Sequence, residues 1–92
     1  MEFKEHDEFR KDLSAAINYY FDVDQELVKD FIRELRRMKN HLATFPEAAP
    51  LTSEPPIRKF LLQRFPYRVR YVLHEDHILL LTLEHMSEDK PL

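Results

Sequence analysis

The sequence predicts an α+β domain with the element order β-α-α-β-β-β, in which a helical hairpin packs on one face of an antiparallel sheet. Two patterns carry this prediction. The first half of the chain repeats apolar residues at steps of three and four, as amphipathic helices do. The second half contains three short segments rich in apolar, β-branched and aromatic residues. A chain of 92 residues supports one modest core, so residues 1–92 are predicted to form a single domain.

The first half predicts a short strand and two helices. Residues 1–5 can form the strand, and Asp7 is the predicted N-cap of the first helix. Asp22 or Asp24 can cap the second helix, and the short gap of about three residues favours an antiparallel hairpin. The apolar stripe of the first helix is Phe9, Leu13, Ile17 and Tyr20, and that of the second is Val28, Phe31, Leu35, Met38, Leu42 and Phe45. The second stripe also fits a homodimeric coiled coil, but we favour a core because the strands need a packing partner.

The second half predicts a connection and three strands. Pro46 ends the second helix, and residues 46–56, which hold four of the six prolines, form an extended connection. Strands are predicted at residues 57–62, 67–73 and 78–83. Residues 74–77 form the turn between the last two strands, and we expect this turn to be longer than a two-residue loop.

The chain contains no glycine and no cysteine. Phosphate-binding loops, dinucleotide-binding turns and nucleophile elbows need glycine where the backbone approaches a ligand or takes a positive φ. Without cysteine the chain has no disulfide, thiolate zinc site, iron–sulfur cluster or cysteine nucleophile. We therefore expect no cofactor, and we expect the backbone strain of a glycine-free fold at residues 46–56 and 74–77.

The net charge of −3 conceals a basic segment. Residues 57–74 carry five basic side chains and no acidic one, whereas the flanking parts of the chain are acidic. Such a local field can direct a partner to the segment, unless neighbouring acids neutralise it. The longest apolar run has four residues, and the N-terminus lacks a signal-peptide pattern. We therefore expect no membrane segment and a cytoplasmic location.

Histidines are candidates for chemistry at two places. His74 and His77, with Glu75 and Asp76 between them, suggest a metal site, but turn side chains splay into water, so we predict no metal. His85 follows the last strand, where it can act as a general acid or base or simply cap the sheet edge. The three serines form no recognisable nucleophilic arrangement.

Arg68 and Arg70 are the clearest candidates for a binding surface. Their two-residue spacing puts both guanidinium groups on one face of the sheet, and Tyr67 and Tyr71 interleave with them along the strand. Guanidinium and aromatic groups together suit phosphates and unstacked bases, and they equally suit an acidic protein segment. A third interpretation is a solvated face whose arginine stems cover apolar surface. The predicted partner-binding residues are Arg58, Arg64, Tyr67, Arg68, Arg70 and Tyr71.

The order of short motifs along the chain is distinctive. Arg64 precedes a Phe-Pro-Tyr sequence at residues 65–67, and Tyr71, an acidic turn, an apolar strand and His85 follow. Earlier come a Tyr-Tyr pair at residues 19–20 and a helix-ending Phe-Pro-Glu-Ala. In this order and spacing, nearly the whole chain resembles the RelE/ParE family of type II toxins. The resemblance implies the β-α-α-β-β-β fold and a toxin that a small cognate antitoxin neutralises.

Two toxin activities occur in the family that the sequence resembles. One branch cleaves mRNA on the ribosome with basic residues, and the matching candidates for catalytic residues here are Lys59, Arg68 and His85. The other branch inhibits DNA gyrase without nuclease chemistry. Leu61 stands where the nuclease branch has a second strand lysine, and Ser87-Glu88-Asp89 replaces its basic tail. These differences favour a ParE-like gyrase inhibitor, because cleavage requires positive charge around the developing phosphorane.

Two alternatives remain at this point. One is a RelE-like ribosome-dependent endoribonuclease with altered catalytic residues, so that enzymatic activity depends on the branch. The other is a degenerate, non-toxic relative that still binds an antitoxin. In each case we expect acidic antitoxin residues to meet the arginines and apolar ones to cover the helical hairpin, in a homodimer or a toxin–antitoxin heterotetramer.

Overall fold

The computed structural model describes residues 1–89, in which two helices pack against one face of a four-stranded sheet. This arrangement confirms the predicted α+β fold and element order. In chain order the elements are β1 (Glu2–Glu5), α1 (Asp7–Val23), α2 (Gln25–Thr44), β2 (Ile57–Leu61), β3 (Tyr67–Leu73), β4 (His77–His85) and a 3₁₀ turn (Met86–Asp89).

The sheet has the strand order β1-β4-β3-β2. Strands β2, β3 and β4 form the predicted antiparallel meander, but β1 pairs with β4 in parallel, so the sheet is mixed rather than wholly antiparallel. The sequence pattern of a strand identifies its faces but not the direction of a partner that is distant in the chain. Because β1 and β3 flank it, β4 lies inside the sheet, in keeping with its apolar sequence.

A single residue, Asp24, separates the two helices, where about three were expected. Its carboxylate accepts a hydrogen bond from the amide of Glu26 at 3.0 Å, so Asp24 is the N-cap of α2, as predicted. The N-cap of α1 is His6 rather than Asp7, because the ring Nδ1 of His6 accepts from the amide of Glu8 at 3.1 Å. The helices therefore form the predicted hairpin with one residue as its connection.

Aromatic rings join the helical hairpin to the sheet. Tyr20 of α1, Phe31 of α2, Phe65 of the β2–β3 loop and Tyr67 of β3 form one cluster, with ring centroids 5.1–6.2 Å apart. Three of the five ring pairs meet edge to face, a geometry worth about 0.5–1.5 kcal/mol per pair beyond the burial of area. All four rings are buried, so the cluster fixes both helices relative to β3.

Two side chains from the sheet hold the proline-rich connection between α2 and β2. Arg58 donates from Nη1 to the carbonyls of Glu47 and Ala49, at 3.2 and 2.8 Å. The hydroxyl of Tyr71 donates to the carbonyl of Pro46 at 2.9 Å. These bonds satisfy carbonyl groups that no helix or ladder uses, so the connection lies against the sheet as ordered structure.

The turn between β3 and β4 is shorter than predicted. The amide of His74 donates to the carbonyl of His77 at 2.9 Å, so only two residues lie between the bonded pair. Among residues 1–89 no residue has a positive φ. Both segments therefore close without the left-handed backbone that a missing glycine would strain. The connection at residues 46–56 contains a cis peptide bond between Pro55 and Pro56.

A buried carboxylate connects α2 to the loop between β2 and β3. Glu34 is only 5% exposed, and its Oε1 accepts from Arg37 Nη2 at 2.6 Å. Its Oε2 accepts from the amides of Gln63 and Arg64, at 2.8 and 3.4 Å. Burial opposes ionisation of this group, but the hydrogen bonds outweigh burial and hold the pKa of Glu34 below its ordinary value. The folded state therefore favours the ionised form of Glu34.

Replacing Glu34 with glutamine should lower the free energy of unfolding at pH 7 by about 1.5–3 kcal/mol, because the charged acceptor is lost. Since the folded pKa is depressed, this stability is present above the unfolded pKa and is lost as pH falls through the folded pKa. As the pH falls below about 4.5, the free energy of unfolding measured with urea should therefore decrease more in the wild type than in Glu34→Gln.

The matched control for this experiment is Glu26→Gln. Glu26 lies on the same helix, is exposed and pairs with Lys29 at 3.2 Å. A surface ion pair of this kind contributes about 0.5 kcal/mol. Equal losses of stability in the two variants would contradict the role of Glu34.

Candidate functional site

Four charged side chains, Lys59, Arg68, Arg70 and Glu84, lie on the face of the sheet turned away from the helices. We call this surface the helix-free face and define it by Lys59, Leu61, Arg68, Arg70, Thr82 and Glu84. On it, Lys59 pairs with Arg70 across the β2–β3 ladder, and Glu84 pairs with Arg68 across the β3–β4 ladder. The predicted placement of Arg68 and Arg70 on one face is therefore confirmed.

A β-bulge brings Glu84 opposite these arginines. From the turn as far as Tyr71 the β3–β4 ladder is regular, and between Tyr71 and Arg70 the register shifts by one residue. Continued without the shift, the ladder would pair Leu83 with Arg68 and turn Glu84 away. The extra residue therefore supplies the helix-free face with its carboxylate.

Glu84 binds both arginines at once. Its Oε1 accepts from Arg68 Nε at 2.9 Å and from Arg70 Nε at 3.1 Å, and its Oε2 accepts from Thr82 Oγ1 at 3.1 Å. Partial burial opposes ionisation, but these hydrogen bonds outweigh burial and hold the pKa of Glu84 below its ordinary value. One carboxylate thus balances part of the charge of two guanidinium groups. This is the partial neutralisation by a neighbouring acid that the sequence analysis gave as the alternative for the basic segment.

The other basic residues of the segment differ in what they bind. Arg58 is engaged with the carbonyls of the proline-rich connection. The Arg64 side chain is 65% exposed, and its Nη2 lies 3.8 Å from Asp30 Oδ2. Lys59 is half-buried and has no ion-pair partner among the described side chains. Arg64 and Lys59 therefore carry the least compensated charge of the segment.

Tyr67 and Tyr71 do not lie on the helix-free face. Both side chains are buried on the helix side, and burial raises the pKa of the Tyr71 phenol. The prediction that these rings contribute to an exposed binding surface is therefore wrong. The pleat that places Arg68 and Arg70 on one face places Tyr67 and Tyr71, which flank them in the strand, on the opposite face.

The three candidate nuclease residues do not converge. Lys59 and Arg68 lie on the helix-free face, whereas His85 pairs with Tyr67 on the helix side, where the two rings meet edge to face at 4.9 Å. The ring Nδ1 of His85 also accepts from the amide of Ser87 at 3.1 Å and contacts the hydroxyl of the same residue. The sheet therefore separates the histidine from the basic side chains.

The turn histidines lie against each other at the end of the sheet. The rings of His74 and His77 stack with centroids 4.5 Å apart, and His77 Nδ1 lies 2.7 Å from Asp76 Oδ1. Within residues 1–89, no group of three or more histidine or carboxylate side chains is placed to hold a metal ion.

Neither helix in this part of the chain combines the length and apolar character that a membrane span requires.

Two acidic residues, Asp12 and Glu34, have roles in the folded protein that the sequence did not predict. Asp12 of α1 accepts the amide of Leu83 at 3.0 Å and so covers the edge of β4 beyond the end of β1. Asp12 follows the buried Phe9 by three residues, and Glu34 follows the buried Phe31 by the same interval. Both roles could have been predicted from one feature of the sequence, which is a carboxylate on the apolar side of a helix.

A solved structure shares this arrangement of helices and sheet. It is described as "Chromosomal ParDE TA system from P. aeruginosa", and the match has a TM-score of 0.77 with 18% sequence identity. The match covers 92% of this chain and 95% of that chain. The two chains therefore share a fold.

A family model makes the assignment more specific. The model described as "ParE toxin of type II toxin-antitoxin system, parDE" matches residues 4–90. The chain therefore belongs to the ParE toxin family. A search of the curated proteins found no match.

Replacing Glu84 with glutamine should strengthen binding of the helix-free face to polyanions, because Arg68 and Arg70 lose their shared carboxylate. The measurement is the salt concentration that elutes the protein from a heparin column. Glu75→Gln removes the same charge from the exposed turn and is the control. Elution of both variants at the same salt concentration would contradict the prediction, provided that circular dichroism shows both to be folded.

Proposed function

We propose that this protein is the toxin of a type II toxin–antitoxin pair, that it acts in the cytoplasm by binding and inhibiting DNA gyrase, and that a small cognate antitoxin neutralises it. Membership of the ParE family supports the class. The observation on this chain that favours protein binding over RNA cleavage is the placement of His85 on the opposite side of the sheet from Lys59 and Arg68.

Cleavage of RNA needs its groups around one phosphate. A general acid or base must lie within hydrogen-bond reach of the proton that it moves, and cations must surround the developing phosphorane. Here Glu84 lies between the two arginines, where its negative charge repels a phosphate. Leu61, at 52% exposure, adds an apolar side chain to the same face. This surface supports recognition of a protein partner better than catalysis.

The antitoxin should combine acidic and apolar residues. Arg64 is the exposed arginine of the basic segment. The end of α1 exposes three large apolar side chains, at 54–62% of their surface, which are Tyr19, Phe21 and Val23. Tyr19 and Val23 are four residues apart and so lie on one face of the helix. Large apolar side chains that are exposed side by side often mark an interaction surface. We therefore assign to the antitoxin carboxylates that face Arg64 and apolar residues that cover the helical hairpin.

Induced expression of the wild type without its antitoxin should stop growth, and the purified protein should inhibit supercoiling of relaxed plasmid by gyrase while mRNA stays intact. His85→Gln should behave like the wild type in both assays, because His85 takes no part in the proposed activity. Primer extension checks the integrity of the mRNA.

Two other results would assign a different function. If mRNA is cut by the wild type and not by His85→Gln, the protein is a RelE-like ribonuclease. If the wild type neither stops growth nor inhibits gyrase at high expression, the protein is a non-toxic relative.

Replacing Arg64 with glutamate should weaken antitoxin binding about tenfold, equivalent to about 1.4 kcal/mol, because attraction becomes repulsion. Isothermal titration calorimetry at two salt concentrations should show a smaller difference at high salt. Arg10→Glu is the matched control, since the Arg10 side chain is 62% exposed and lies outside the basic segment. Equal weakening by both substitutions would indicate an effect of net charge rather than a contact at Arg64.

A further inference from the structure

β2 is an edge strand whose backbone groups alternate between two directions. The amide of Leu62 donates to the carbonyl of Tyr67 at 2.9 Å, so the even-numbered residues of β2 are those whose amides and carbonyls hydrogen-bond to β3. The odd-numbered residues, including Lys59 and Leu61, therefore direct their amides and carbonyls away from the sheet. An outward edge of this kind can accept an added strand.

The chain itself covers only the first part of this edge. The amide of Thr52 donates to the carbonyl of Ile57 at 2.8 Å, and the amide of Lys59 donates to the carbonyl of Pro50 at 3.1 Å. A regular partner opposite Lys59 would return an amide to its carbonyl, but Pro50 has no amide hydrogen. Among residues 1–89, the carbonyl of Lys59 and the amide and carbonyl of Leu61 thus have no backbone partner.

A cavity of about 380 Å³ lies beside the uncovered edge. Its apolar lining includes Met38 of α2, Ala49 of the connection and Phe60 of β2. The first two are almost fully buried, so they form the floor of the cavity. A residue added to the sheet opposite Phe60 would project its side chain to the helix side, where this cavity opens. The cavity thus suits an apolar side chain of an added strand.

Basic side chains around the cavity favour an acidic partner. Lys59, Arg37 and His41 all line it, and Lys59 has no ion-pair partner among the described side chains. The carboxylate in the lining, Glu34, already accepts three hydrogen bonds, from Arg37 and from two backbone amides. A carboxylate next to the apolar anchor of an added segment would therefore meet uncompensated positive charge at Lys59.

We propose that the antitoxin adds an extended segment to the edge of β2. The segment donates an amide to the carbonyl of Lys59 and accepts from the amide of Leu61. It places an apolar side chain in the cavity and a carboxylate against Lys59. This inference rests on the proposed function, and it assigns to the antitoxin a backbone contact that is separate from the contact at Arg64.

Leu61→Pro tests the backbone contact directly. The substitution removes an outward amide hydrogen and leaves the ladder with β3 intact, because an edge strand tolerates proline where its amide faces solvent. Leu61→Ala keeps the amide and is the matched control. The partner is the small protein encoded by the reading frame adjoining the gene of this chain, and calorimetry should show at least tenfold weaker binding for Leu61→Pro than for Leu61→Ala.

Two further measurements test the added strand without a proline substitution. Hydrogen exchange of the Leu61 amide in the wild type should be at least tenfold slower in the complex than in the free toxin. Lys59→Glu should weaken binding about tenfold, whereas Lys4→Glu, the same charge change on the opposite edge strand, should leave the affinity within about twofold.

The outcomes separate this inference from the proposed function. If the wild type binds the antitoxin but Leu61 exchanges at the same rate in the complex, the added strand is overturned and the toxin–antitoxin assignment stands. If the wild type does not bind the antitoxin, both are overturned. If the toxin alone forms a dimer that Leu61→Pro abolishes, and the antitoxin leaves Leu61 unprotected, the edge belongs to a second copy of this chain.

Discussion

The pleat of β3 is the constraint on which both sides of the molecule depend. Tyr67 and Tyr71 are buried on the helix side, and Phe31 of α2 packs directly on the first of them. Because side chains alternate along a strand, this packing fixes Arg68 and Arg70 on the other face. A slip of one residue would bury two guanidinium groups among aromatic rings, at a cost of several kcal/mol. The position of the surface charge is therefore a consequence of the packing of the core.

The parts of the fold that could be predicted are those encoded within one segment. The apolar stripe of α2 from Val28 to Leu42 and the alternation of β3 both depend on residues a few positions apart, and both were correctly predicted. The last residue of the predicted stripe, Phe45, lies beyond the end of α2 and is exposed, so that part of the prediction is wrong. The parallel pairing of β1 depends on a partner distant in the chain. The bulge depends on how two consecutive strands fit together, which the apolar pattern of either strand does not encode. The same division applies to the site. The adjacency of Arg68 and Arg70 was predictable, but the position of Glu84 follows from the bulge and was not.

The five basic side chains that stand together in the sequence perform different tasks in the folded protein. Arg58 secures the proline-rich connection through backbone carbonyls, and Arg68 and Arg70 share one carboxylate. The charges of Arg64 and Lys59 are the least compensated by neighbouring acids, so they remain available to a partner. A run of charge therefore does not act as one electrostatic unit, because each guanidinium or ammonium group binds what its strand and register bring near.

The chain folds without glycine because none of its described residues requires a positive φ. This composition also acts on the unfolded chain. Glycine widens the range of conformations of an unfolded backbone, and replacing one glycine at a compatible position stabilises a protein by about 0.4–1 kcal/mol. A chain of this length would ordinarily hold about six glycines. Their absence, together with six prolines, leaves less conformational entropy to lose on folding, which matters in a domain with a small core.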